Sequence, residues 1–383
     1  MRIAQIAPLT TKVPPDKYGG TERVISALTE ELVRRGHKVT LFASGNSRTS
    51  AKLVSVYPSE LPPRILYEEK NQVYDIYEHI AWNMMNIAVA YKVQHQFDII
   101  HDHTAQNFPM SLALANSSQT PVVMTLHGAF TKSTVALYSF FNNINYVTVS
   151  HSQAYSAANI KFIGNVYHGL NMRHYPFSKN PDSYLLYVGR ISPEKGVHIA
   201  IQVAKRLSRP LIIAGGQDMN YKNYVATSIQ PYLSKLIQWV GEVDEATRNE
   251  LMSKAYCTLH PVTWPEPFGL TIIESMACGS PVIGFSMGSI PEIIQHGKTG
   301  FVVNSVSEMV EAVKKISTID RAYCRSYVLK QFTVKRMVDE YEKIYKIAQK
   351  QQASFIRVPS INHNRVKKQL DIDFLPDFSK RSA

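Results

Sequence analysis

Short apolar runs alternate along the chain with longer stretches in which apolar residues recur every three or four positions. The first run, Ile3–Leu9, predicts a buried strand. Thr21–Arg35 follows, with Val24, Ile25, Leu28, Leu32 and Val33 spaced for one helix face, and Gly36 ends it. Lys38–Ala43, Phe97–His101, Pro121–Leu126 and Tyr146–Val149 predict further strands, nearly all apolar, as strands covered on both faces are. A second series begins near Tyr184. Its strands are Tyr184–Val188, Pro210–Ala214, Ile237–Val240, Cys257–His260, Pro281–Phe285 and Phe301–Val303. Helical patterns lie between them at Gly196–Leu207, Tyr221–Lys235, Glu245–Ala255, Phe268–Ala277 and Val306–Ile316. Strand–helix alternation of this kind predicts α/β architecture with two doubly wound parallel sheets, and ligands in such sheets sit beyond the carboxyl ends of the strands. The seam falls in the polar stretch Asn171–Asp182. Val334–Lys350 reads as a last helix, and from Gln351 the chain is polar with Pro359 and Pro376, a flexible tail or a strap.

Composition narrows the class. The 383 residues are 45% apolar and 19% charged, an ordinary globular balance with room for two or three domains. No uncharged apolar run approaches the ~20 residues that span a bilayer, so no transmembrane segment is expected. The apolar run at the N-terminus is too short for a signal peptide. Cys257, Cys278 and Cys324 are odd in number and lack CxxC spacing, which argues against a disulfide scaffold or a zinc site and for a reducing cytoplasmic setting. The net charge of +12 is spread out: residues 1–170 carry 14 Lys/Arg against 11 Asp/Glu, and no block of five like charges occurs. A nucleic-acid groove needs clustering, so no nucleic-acid partner is expected. A small anionic ligand suits the excess in the middle third better.

Four stretches carry candidate chemistry. Glu266-Pro-Phe-Gly-Leu-Thr-Ile-Ile-Glu274 opens a predicted helix with Pro267 at its start. The amides of Phe268, Gly269 and Leu270 would point out of that N-terminus as an anion site. Along a helix Glu274 would lie about 12 Å from Glu266, so the two carboxylates could reach opposite ends of an extended ligand. The alternative is local pairing of Glu274 on the helix face. Gly189-Arg190-Ile-Ser-Pro-Glu-Lys195-Gly196 joins a strand to a helix, where Arg190 and Lys195 can neutralise a diphosphate or simply be solvated. Tyr18-Gly19-Gly20-Thr-Glu-Arg lets backbone approach a ligand at the first helix, or is only a turn. His127 ends a strand, and is either functional or a satisfied structural histidine. His101-Asp-His103 has H-x-H spacing but no third ligand of defined spacing, so no metal is expected. Asp371-Ile-Asp373 reads as solvated surface. No nucleophile elbow, Walker A loop or H-E-x-x-H is present.

Taken in order, these strings resemble the retaining glycosyltransferases of family 4, the glycogen synthase and mannosyltransferase-like group with the GT-B fold. The resemblance covers residues 1 to about 350. It implies an N-terminal Rossmann-like acceptor domain over 1–172 and a nucleotide-sugar donor domain over 173–333. A helix at 334–352 then crosses back to the first domain, and 353–383 is a tail. It implies that Arg190 and Lys195 bind the donor diphosphate, Glu266 contacts hydroxyls of the transferred sugar, and Glu274 holds the ribose. Gly269 and Leu270 then offer amides to phosphate, Gly20 lies near the diphosphate and the acceptor, and His127 lies near the reaction centre. Gly216 and Val243 match loops that approach the nucleotide.

The implied reaction moves a hexose from a nucleoside-diphosphate sugar to an acceptor with retention and without a metal or other cofactor. A UDP-hexose is the first choice of donor and GDP-mannose the second. The acceptor is a small molecule, a glycan or a lipid-linked group, and the oligomeric state is left open. The Trp264-Pro-Glu-Pro-Phe and Tyr167-His-Gly strings resemble a branch of that family that includes small-molecule glycosyltransferases. Competing readings are a GT-B epimerase or phosphorylase, and a catalytically silent nucleotide-sugar-binding partner protein.

Overall fold

The computed structural model describes residues 1–17, 19–61, 76–105 and 108–356. Tyr18 and the Asp371-Ile-Asp373 string lie outside these. The first half contains β1 (Arg2–Ile6), α1 (Gly20–Arg34), β2 (Lys38–Phe42), β3 (Lys52–Val54), α2 (Ile76–Lys92), β4 (Ile99–Asp102) and α3 (Met110–Asn116). It continues with β5 (Val122–Thr125), α4 (Lys132–Phe140), β6 (Asn145–Thr148), α5 (His151–Tyr155) and β7 (Phe162–Asn165). Its strands pair in parallel in the order β3-β2-β1-β4-β5-β6-β7.

The second half contains β8 (Leu185–Val188), α6 (Val197–Leu207), β9 (Leu211–Ala214), α7 (Lys222–Ser228), β10 (Ile237–Gly241), α8 (Glu245–Lys254) and β11 (Cys257–His260). After it come α9 (Leu270–Ala277), β12 (Val282–Phe285), α10 (Ile290–Ile293), β13 (Gly300–Val303), α11 (Val306–Lys315), α12 (Arg321–Gln331) and α13 (Val334–Ile356). The parallel order is β10-β9-β8-β11-β12-β13. Each sheet therefore changes winding direction once, between β1 and β4 and between β8 and β11. These switch points leave crevices at the carboxyl ends of the strands.

The apolar spacing explains the docking. Val24, Leu28 and Leu32 of α1 and Ile3 of β1 share one buried cluster with Met337, Val338, Tyr341, Ile344, Tyr345 and Ala348 of α13. The last helix thus crosses from the second half and packs on the first sheet. Burying each aliphatic side chain contributes about 1.5–3 kcal/mol, so this seam holds the two halves in one molecule. The chain passes between the halves at two adjacent places: the Leu170 amide donates to Phe332 O at 2.8 Å, and the Val334 amide to Leu170 O at 3.1 Å. Among the described residues no helix is long and apolar enough to cross a membrane. Cys257, Cys278 and Cys324 are free and buried.

Several expectations need correction. The helix expected over Tyr221–Lys235 is α7 followed by a single 3-10 turn at Gln230–Tyr232, because Pro231 lacks the amide that would continue it. Helix α9 starts at Leu270, not at Phe268, with Gly269 as its left-handed cap at φ +83°. Pro267 and Glu266 therefore lie in the loop before the helix, and the helical rise does not set the distance from Glu266 to Glu274. The last helix continues to Ile356, past the boundary at 352. Strands β3 and β7 lie on the two edges of the first sheet, and the expectations do not contain them.

Candidate active site

Loops from the carboxyl ends of both sheets face each other across one cleft of about 1310 Å³. From the first half come Thr10 and Thr11 after β1, Gly19 and Gly20 at the start of α1, Glu22, and His127 after β5. From the second come Gly189, Arg190 and Lys195 after β8, His260 at the end of β11 and Glu266 after it, and Phe268, Gly269 and Leu270 leading into α9. An adjoining pocket of about 600 Å³ shares Gly20, Gly189 and Leu270 with the cleft and adds Gly216, Glu242, Val243, Arg248 and Glu274. The structure thus brings together the residues that the resemblance assigns to the site: Gly20, His127, Arg190, Lys195, Glu266, Phe268, Gly269 and Leu270 in the cleft, and Gly216, Val243 and Glu274 in the pocket, whereas His101 and His103 do not line either.

The Lys195 loop is set by sequence. Pro193–Lys195 forms a 3-10 turn, and Gly196 at φ +74° then turns the chain into α6. A Cβ on Gly196 would lie 2.0 Å from the carbonyl oxygen of Pro261, so only glycine fits. The turn carries Lys195 Nζ to 2.6 Å from Glu266 Oε2, and Trp264 Nε1 donates to the same oxygen at 2.8 Å. Lys195 also sits 4.7 Å above the Trp264 ring. Burial alone pushes the Glu266 carboxyl up, but Lys195, His260 and the Trp264 N–H together outweigh it and hold the group below its ordinary range. Glu266 is therefore an ionised acceptor in a mostly buried part of the wall.

Arg190 is oriented by Glu194 at 3.0 Å and Asp218 at 3.3 Å. Glu194 is itself fixed by the Ser192 hydroxyl at 2.6 Å. The alternative of two merely solvated cations does not hold: Arg190 is held by two carboxylates and Lys195 by one. Deeper in, Glu274 Oε1 accepts from Arg248 at 2.9 Å and from the Tyr175 hydroxyl at 3.1 Å. Its partners are long-range, not the local helix-face pairing weighed from sequence.

Four buried polar atoms in the cleft wall have no partner: His127 Nδ1, His168 Nδ1, Arg190 Nε and His260 Nε2. Unpaired buried polar atoms cost about 1–3 kcal/mol each, so the four on this concave surface are available to hydrogen-bond a bound molecule. Burial lowers His127 and His260 to about 4 and His168 well below its ordinary range, so all three rings are neutral near pH 7. Glu22 moves the other way, raised by burial to about 7. Sequence reasoning missed His168, His260, Glu22, Arg248 and Tyr175. His260 ends a strand just as His127 nearly does, and Glu22 lies two residues after Gly20, so both signals were present.

His101 and His103 belong to a buried hydrogen-bond network. They are joined through hydrogen bonds to Gln5, Thr125, Tyr345 and His127. Among the described residues no group of three or more ligating side chains could hold a metal ion.

Comparison with known proteins agrees with this arrangement. A family described as "Glycosyltransferase Family 4" matches residues 18–175, and one described as "Glycosyl transferases group 1" matches residues 171–328. The N-acetyl-alpha-D-glucosaminyl L-malate synthase of Bacillus anthracis is 24% identical over 369 residues, covering 85% of this chain and 93% of its own. The sucrose-phosphate synthase of Thermosynechococcus elongatus superposes with a TM-score of 0.72 at 18% identity, covering 90% of this chain and 98% of that one. Anabaena Alr3699/HepE, solved with UDP-glucose, gives 0.66 at 18% identity, covering 90% and 98%. The two facing parallel sheets are the GT-B fold, and the chain belongs to glycosyltransferase family 4.

Proposed function

We propose that the protein transfers a hexose from a nucleoside-diphosphate sugar to an acceptor hydroxyl, with retention of anomeric configuration and without a metal. The observation that carries this reading is the set of unpaired buried polar atoms on the cleft wall, flanked by Arg190, Lys195 and the N-terminus of α9. Breaking the bond between the anomeric carbon and the phosphate oxygen builds negative charge on the departing diphosphate. Arg190 and Lys195, already held in place by carboxylates, stabilise that charge without reorganising. The amides at Gly269 and Leu270 add donors at a helix start. Glu266, ionised, accepts from hydroxyls of the transferred sugar. Glu274 accepts from the ribose while Arg248 and Tyr175 orient it. Gly216 and Val243 approach the base from the ends of the neighbouring strands.

No nucleophile is assigned on the face opposite the leaving group. Attack from the same face as departure is the reading: the acceptor oxygen bonds to the anomeric carbon and its proton passes to the leaving phosphate oxygen. A UDP-hexose is the preferred donor and GDP-mannose the second. UDP-glucose in the Anabaena relative supports the order. The acceptor is a small molecule, a glycan or a lipid-linked group entering from the side of Thr10, Thr11 and Glu22, in a cytoplasmic setting.

The test is transfer itself. Purified protein is incubated with UDP-glucose or GDP-mannose and an acceptor panel, with and without EDTA, and free nucleoside diphosphate and product anomer are read by NMR. Acceptor-dependent release of the diphosphate, an α-linked product and indifference to EDTA are expected. An inverted product, or activity that EDTA abolishes and added metal restores, contradicts the scheme.

A further inference from the structure

The pair His101 and His103 has no role in the scheme above, yet it belongs to a single-file chain of buried hydrogen bonds that ends in the cleft. The chain starts on the crossing helix. The Tyr341 hydroxyl lies 2.9 Å from Thr125 Oγ1, which lies 2.8 Å from His101 Nε2. His101 Nδ1 lies 2.8 Å from the Tyr345 hydroxyl, which is 3.3 Å from Gln5 Nε2. Gln5 Oε1 lies 2.8 Å from His103 Nε2, and His103 Nδ1 lies 2.9 Å from His127 Nε2. Gln5, His101, Tyr341 and Tyr345 are fully buried.

Burial keeps the three imidazoles of this chain neutral. A neutral imidazole that donates from one nitrogen accepts at the other, so the chain has one direction throughout. Gln5 sets it. Its amide oxygen can only accept, so His103 carries its proton on Nε2 and accepts at Nδ1. His127 must then donate from Nε2, which leaves Nδ1 bare. On the other branch the Gln5 amide N–H donates to Tyr345, Tyr345 to His101, His101 to Thr125, and Thr125 to Tyr341. His127 Nδ1 is the open end of the chain, buried and without a partner on the wall of the cleft.

We propose that Gln5 and His103 are positioning residues that fix His127 in the tautomer with a bare Nδ1, so that the cleft offers a hydrogen-bond acceptor to a substrate hydroxyl. The step rests on the reading that the cleft binds the sugar donor. Reversal would require the Gln5 amide and every hydroxyl and imidazole of the chain to turn over together, which is why the direction is held.

The direct test is a long-range proton–nitrogen correlation spectrum of the full chain labelled with ¹⁵N-histidine, without ligand. The His127 signals are assigned by their loss in His127→Gln. An unprotonated Nδ1 and a protonated Nε2 are expected on His127; a protonated Nδ1 overturns the proposal. In Gln5→Leu the His127 nitrogens are expected to move to an average of both tautomers, with kcat falling about tenfold, the value of one hydrogen bond, and KM for the donor little changed. A single unchanged tautomer in Gln5→Leu overturns the role of Gln5. Where that variant does not fold, Tyr345→Phe frees the amide from the other side and is expected to give the same averaging. The spectrum needs no substrate, so loss of the relay and absence of sugar transfer are separate results.

Discussion

Lys195 Nζ and Glu266 Oε2 lie 2.6 Å apart on the cleft wall, with only 13% and 11% of their side chains exposed. Removing one charge leaves the other buried and uncompensated. Lys195→Met is therefore expected to cost about 3 kcal/mol or more, in the range seen when a buried pair is broken. The double variant Lys195→Met with Glu266→Gln is expected to recover most of that loss yet still fail to transfer sugar. Urea unfolding and turnover measured side by side check this, and a double variant as unstable as the single one contradicts the pairing.

Arg248, on the wall of the same pocket, donates to Glu274 at 2.9 Å. Arg248→Ala is expected to weaken nucleoside-diphosphate binding by about tenfold or more, because Glu274 loses its charged partner. Tyr175→Phe removes one neutral hydrogen bond to the same oxygen and is expected to cost about 1 kcal/mol of binding. Titration calorimetry with UDP measures both. Equal losses in the two variants would deny Arg248 the larger share.

Acid is expected to destabilise the fold. Burial lowers His127 and His260 from 6.5 unfolded to about 4 folded. Between those values the unfolded chain binds more protons, so stability is lost as pH falls from about 6.5 towards 4, by about 1.4 kcal/mol per pH unit for each ring. Lowered Glu266 acts in the same direction below its unfolded value of 4.5. Glu22, raised from 4.5 to about 7, has the opposite sign: its stabilising term is lost as pH rises through that window. Glu22→Gln is thus expected to stabilise the protein at pH 8 and to steepen its loss towards pH 5. Unfolding midpoints at pH 8, 6.5 and 5 test both signs.

Two carboxylates of the second half hold the first. Glu245 pairs with Arg23 of α1, and Glu292 accepts from the amides of His151, at 2.9 Å, and Ser152 at the start of α5 and from the Tyr167 hydroxyl at 2.9 Å. Opening the cleft must break these contacts. Glu292→Ala is expected to enlarge the radius of gyration of the free protein and to raise KM more than it lowers kcat. An unchanged scattering profile would remove Glu292 from the closure.

The sheet frame was legible because central strands such as Leu185–Val188 are buried on both faces and so read as unbroken apolar runs. The edge strands Lys52–Val54 and Phe162–Asn165 escaped because partial exposure mixes their composition. The cleft residues at strand ends, Arg190, Lys195 and His127, were visible from their setting after an apolar run. Their partners were not. Arg248 reaches Glu274 from another helix, and Tyr345 reaches His101 and Tyr341 reaches Thr125 from more than 200 residues away. No local pattern encodes such pairings. The start of α9 was misplaced because Gly269, chosen as an open backbone position, serves instead as the left-handed cap.

The most direct test of the donor site is binding. A thermal-shift series with UDP, GDP, ADP and their hexose conjugates needs no acceptor, and a ligand at 100 times its Kd adds about 2.7 kcal/mol of stability. The account predicts a clear upward shift with UDP and UDP-hexoses, or failing those with GDP and GDP-mannose, that Glu274→Ala abolishes. No shift with any nucleotide, or a shift that survives Glu274→Ala unchanged, would contradict it.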